Sequence, residues 1–110
     1  MKKNKRLKKE LLLYKKEVIL KLNEYILNEQ NKEELNNLIG DISLTNEVIS
    51  VLQKIKNMET SFKNLMDFPI SSEFISNSFY IDYLNTQNYY QALLNEILKR
   101  KFNSKVLKIN

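Results

Sequence analysis

The chemistry open to this 110-residue chain is bounded first by what it lacks: it has no Cys and no His. Cys/His zinc sites, Ser-His-Asp and Cys-His triads, thiol redox chemistry and disulfides are therefore excluded. A single glycine, Gly40, cannot build the glycine-rich loops that cradle phosphates. Glu29, Glu33 and Glu34 are close enough in sequence to share a cation, but no calcium-loop spacing surrounds them. No nucleophile stands beside a base, and these carboxylates read as solvated helix charges. The residues predict a protein without catalysis, cofactor or metal.

The cations are the strongest electrostatic feature. Lys2, Lys3, Lys5, Arg6, Lys8 and Lys9 crowd the start, and Lys99, Arg100, Lys101, Lys105 and Lys108 lie near the end. Between residues 22 and 98 eleven acids face only four lysines, so a net charge of +5 conceals basic ends on an acidic body. Such ends could follow nucleic acid, an acidic protein or anionic lipid, or simply keep the chain dissolved. The candidate contacts are Lys2, Lys3, Lys5, Arg6, Lys8, Lys9, Lys99, Arg100 and Lys101. A basic amphipathic helix can lie on a membrane, but Leu7 and Leu11–Leu13 are expected to serve a core instead. No apolar run is long enough to span a bilayer, and Lys15-Lys16-Glu17 interrupts the signal-like start. A cytoplasmic setting is the default expectation.

The densest aromatic stretch holds Phe79, Tyr80, Tyr83, Tyr89 and Tyr90. Aromatics stack unpaired bases or anchor protein partners. Here no Lys or Arg occurs between 64 and 98, so a base-stacking platform would lack phosphate contacts. Core packing and a helix–helix interface are the stronger readings. All five cannot face one three-helix core, which points to a partner interface.

These residues must be carried by helices. Leu7, Leu11, Tyr14, Val18, Leu22 and Tyr25 step by four and three, predicting a helix over 7–28. A short helix follows over 32–42, with Gly40 as its end or kink. Val48, Leu52, Ile55, Met58, Phe62 and Leu65 predict a third over 46–66, capped by Thr45 or Asn46 and ended before Pro69. A long fourth over 71–102 is expected to start at a Ser71 cap, with a break near Asn77-Ser78. Residues 33–52 have the outline of a helix-turn-helix, but the second helix has no cation before Lys54, so an ordinary corner is expected. Leu, Ile, Val and Phe make up 37 of the 110 residues, enough for a core. The fold expected is all-α: one domain over 1–110, a small bundle of three to four helices with a long C-terminal helix. Its ends, 1–9 and 103–110, are expected to fray. The expected core contains Val18, Leu22, Leu52, Ile55, Leu84 and Leu94.

One pattern resembles a known family. Asn77, Asp82-Tyr83-Leu84-Asn85-Thr86-Gln87-Asn88-Tyr89-Tyr90 and Leu93-Leu94-Asn95-Glu96-Ile97 resemble the closing helix of the YlbF/YmcA family, and Leu44-Thr45-Asn46-Glu47-Val48-Ile49 with Leu52-Gln53 resembles the opening of its middle helix. The likeness covers roughly residues 32–98. Ser78 replaces the family's Pro, Thr86 its small residue, and Tyr89-Tyr90 is bulkier than the family pattern. The iron–sulfur association of Cys-rich members is not carried over. The resemblance implies a non-catalytic helical regulator that associates with itself or related helical proteins and steers ribonuclease Y in messenger RNA processing. Two other classes stay open: a small basic nucleic-acid-binding protein, and a bundle like the bacteriocin-immunity proteins.

Overall fold

A computed structural model describes residues 2–66 and 77–109, with side chains placed for 5–61, 63 and 79–105. Four helices follow one another: α1 (Lys2–Asn28), α2 (Lys32–Ile39), α3 (Ile42–Met66) and α4 (Asn77–Ile109). No strand occurs among the described residues. The all-α bundle with a long last helix is as the periodicity predicts.

The boundaries differ in informative ways. α1 starts at Lys2, five residues before the apolar stripe, and α4 runs on to Ile109 past the expected 102, so both basic ends are helical over most of their length. Lys and Arg are good helix formers, and a helix already nucleated by its stripe extends through them. α1 ends where Glu29 turns to φ 52° and Asn31 to φ 69°; Asn adopts this left-handed geometry readily, whereas at Glu29 it carries the ordinary steric cost of a residue with a Cβ. α2 stops at Ile39 because Gly40, at φ 83°, closes it in left-handed geometry, its N–H donating to the Asn36 carbonyl at 2.8 Å. α3 begins four residues earlier than expected. The cap is Asp41, not Thr45 or Asn46: its carboxylate accepts the Leu44 N–H at 2.9 Å. Thr45, fully buried, donates its hydroxyl to the Asp41 carbonyl at 2.7 Å. The helix end expected before Pro69 and the Ser71 cap lie outside the described residues.

The core joins all four helices. Tyr14, Val18 and Leu22 of α1 meet Leu35 and Ile39 of α2, Leu44, Val48, Leu52 and Ile55 of α3, and Tyr90, Leu93, Leu94 and Ile97 of α4. The Tyr14 hydroxyl donates to the Leu38 carbonyl at 2.7 Å, tying α1 to α2. Leu84 is a correction: it is 43% exposed. The buried line on α4 runs Thr86, Tyr90, Leu93/Leu94, Ile97, and Leu84 stands about 120° around the helix from Tyr90. Thr86 can take the inward place because its hydroxyl is satisfied by the Asp82 carbonyl at 2.7 Å.

The contacts Glu10–Lys105 and Tyr14–Lys101 fix α1, and Asp41–Arg100 and Lys54–Asp82 fix α3: both run antiparallel to α4. The molecule is elongated, 60 × 32 × 20 Å, with a radius of gyration of 17.4 Å. A compact domain of this length would have about 13 Å. α4 alone, at 33 residues, accounts for about 50 Å of that length.

Candidate interaction surfaces

The five aromatics proposed as an interface do not share one face. Tyr90 is 8% exposed and packs in the core, and burial pushes its hydroxyl pKa up. As the chain is folded it cannot meet a partner. Its inward position follows from register, because it lies on the same line as Leu94 and Ile97. Tyr89 is exposed but points about 180° away from Tyr80 around α4. Phe79, Tyr80 and Tyr83 stay together and, with Glu59 of α3, line a groove of about 370 Å³. Tyr83 is half-buried, its hydroxyl accepting from the Gln87 amide at 2.9 Å.

Beyond these, α4 exposes Ile81, Leu84 and Phe102. From Tyr83 to Asn95 the helix carries no charged residue. Its outward surface is therefore apolar and amide, flanked by the ion pair of Asp82 with Lys54 at 3.8 Å and by Glu96.

The two basic segments, about ninety residues apart in sequence, meet at one end of the bundle. Glu10 of α1 pairs with Lys105 of α4, and the Lys101 ammonium sits 5.1 Å from the centre of the Tyr14 ring. Among the residues with described side chains, 5–10 and 99–105 thus bring eight cations to the same end, with Glu10 among them, whose carboxyl Lys105 holds below the usual range. The cations are not equivalent. Arg100 is engaged within the chain, with Asp41 at 2.5 Å and Glu96 at 3.1 Å, and both carboxylates raise its pKa. Lys101 covers Tyr14, which leaves both residues poorer candidates for an external partner than their sequence position implies. Lys5, Arg6, Lys8, Lys9 and Lys99 are exposed and carry no ion pair among the described residues. The backbone of Lys2 and Lys3 belongs to α1; their side chains lie outside the described set.

The sequence reading missed one surface. Leu12 and Leu13, expected in the core, are 55% and 58% exposed, as are Leu20 at 57% and Leu27 at 81%. Only Leu7 and Leu11 of that group turn partly inward. The signal was available: Leu13, Leu20 and Leu27 recur every seven residues, off the line through Val18 and Leu22. Elsewhere, Glu34 pairs with Lys21 at 3.0 Å, and among the described residues no three carboxylates converge on a cation position. The Gly40 corner is an ordinary helical turn whose second helix presents no cation before Lys54. Comparison of the chain with family models, with curated proteins and with solved structures finds no match in any of the three.

Proposed function

We propose that the protein is a non-catalytic helical adaptor that acts by binding a second copy of itself or a related helical protein through the outward face of α4. The observation that carries this reading is the exposed set Tyr80, Ile81 and Leu84, next to the Phe79–Tyr83 groove, on a helix without charge from Tyr83 to Asn95. Interface cores are depleted of charge and rich in aromatic side chains, because both desolvate at low cost. Apolar patches of this kind on a small domain usually mark an association site. The test is light scattering over a concentration series, with and without the double change Tyr80→Ser and Leu84→Ser. The wild-type mass should rise with concentration, and the variant should remain at the mass of one chain with unchanged helicity. A wild-type chain that stays monomeric at every concentration and captures no helical protein removes the reading.

The assembly served would be ribonuclease Y, the partner implied by the likeness of residues 32–98 to the YlbF/YmcA family. Co-purification of ribonuclease Y with the tagged chain would support that partner, and its absence at native expression would remove it. A second reading, direct RNA binding, draws on the two basic segments that meet at one end. RNA titrations at low and high salt decide it, because phosphate contacts release counterions and weaken steeply as salt rises.

A further inference from the structure

We infer that the outward face of α1 is a docking surface for an anionic phospholipid membrane, on which the bundle lies with α1 along the surface. The inference is independent of the α4 reading and uses a different helix. On α1, an arc of about 100° opposite Val18 contains Lys5, Lys9, Leu12, Leu13, Lys16, Leu20, Asn23 and Leu27. The four leucines and three lysines are all exposed, and no acid falls within the arc. The acids of this helix, Glu10, Glu17 and Glu24, stand together on one flank, where Glu10 meets α4.

Interleaved leucine and lysine without acid matches an anionic bilayer surface and little else. Leucine side chains enter the boundary between headgroups and acyl chains, while lysine stems lie along it and lift their ammonium groups to the phosphates. A nucleic acid would satisfy the lysines and leave the leucines in water. A second copy fits poorly in either direction. Paired in parallel, the two chains would set their basic ends side by side; paired antiparallel, Glu17 and Glu24 of one would face the same flank of the other. The adjoining basic end, with Arg6, Lys8 and Lys99 also exposed, adds attraction to the same anionic surface. No helix among the described residues is long and apolar enough to cross a bilayer, so the contact is interfacial. It is centred on Lys5–Leu20, because the far end of α1 stands among Glu24, Glu29, Glu33 and Glu34.

The experiment is co-sedimentation of the full chain with vesicles of phosphatidylglycerol and phosphatidylcholine in equal parts, and with phosphatidylcholine alone. Binding is expected to the first and not the second. The double change Leu13→Ser and Leu20→Ser and the double change Lys9→Gln and Lys16→Gln should each weaken it about tenfold or more. Leu27→Ser should weaken it far less. All four leucines are exposed, so circular dichroism of the variants should show unchanged helicity, and a variant that fails this control is replaced by Leu12→Ser, which tests the same arc. Failure to bind anionic vesicles overturns the inference. Full binding by a folded leucine variant also overturns it, since the lysines alone would then account for adsorption. Displacement by single-stranded RNA with no dependence on the leucines assigns the face to nucleic acid instead.

Discussion

Asp41 holds three roles at one corner. Its carboxylate caps α3 through the Leu44 N–H, its carbonyl accepts from buried Thr45, and its second carboxylate oxygen takes the Arg100 guanidinium from the far end of α4. The Leu44 N–H, then Arg100, holds the Asp41 carboxyl below its ordinary value. A carboxyl whose folded pKa is depressed contributes stability above its unfolded pKa, and that contribution is lost as pH falls through the folded value. Lys105 gives Glu10 the same sign. The melting temperature should therefore drop as pH falls below about 4, where an unfolded Asp takes up its proton. Asp41→Asn, which keeps a capping oxygen but no charge, should flatten that acid limb and lower the neutral-pH melting temperature by about as much as the limb spans in the wild type. Asp41→Ala should lose the cap as well and lower the neutral-pH melting temperature by several degrees. Thermal scans of the three proteins across acid pH check this. An acid limb that survives in Asp41→Asn would place its origin elsewhere.

Within single elements, which residues face inward is a matter of register, and register was only partly readable. The stripes through Val18, Leu22, Leu52 and Ile55 identify the buried lines of α1 and α3, although α1 carries a second line, Leu13, Leu20 and Leu27, that stays exposed. α4 has apolar or aromatic residues all round: Ile81 opposite Tyr90, Leu84 to one side, Tyr89 to the other. Nothing local selects among these lines. The line chosen includes Thr86 and excludes Leu84 because it alone keeps Tyr90, Leu94 and Ile97 together over α3. The consequence is measurable. Leu94→Ala, at a 1% exposed position, should cost about 2–5 kcal/mol in denaturant unfolding, while Leu84→Ala should cost well under half of that. Equal losses would mean that α4 is rotated from the position described here. The same register buries Tyr90 and leaves Tyr80 on the exposed face proposed above to bind a partner.

Over the whole molecule the leading electrostatic fact is the meeting of the two basic segments. Among the described side chains, eight cations with Glu10, Asp41 and Glu96 form a local excess that repels itself, so folding at this end works against like charge. Raising the salt concentration should therefore raise the melting temperature, because screening relieves that repulsion more than it weakens the few pairs with Asp41, Glu96 and Glu10. A melting temperature that falls with salt would mean that those pairs outweigh the repulsion. The elongated shape acts in the same direction: with a radius of gyration of 17.4 Å, long stretches of α1 and α4 keep one face in water. Those faces are where Leu20 and Leu84 are found, and where both proposed partners would bind.

The amino-acid sequence by itself determined the class of fold, the range of three to four helices and the chemistry that is excluded. Helical periodicity is a local property of residues three and four apart, and a chain without Cys or His has no route to the catalytic or metal sites that need them. It also located Gly40, since a residue without a Cβ enters the left-handed geometry of a helix end at the least cost. Only the tertiary structure decided which charges became neighbours and which leucines faced water. Lys105 and Glu10 are 95 residues apart, and no local rule pairs them until α1 and α4 run antiparallel. Leu13 and Leu11 have the same composition and nearly the same place in the chain, yet one is exposed and the other half-buried. A helix buries a stripe only as wide as its neighbours cover, and how many neighbours α1 has is settled by the packing of all four helices together.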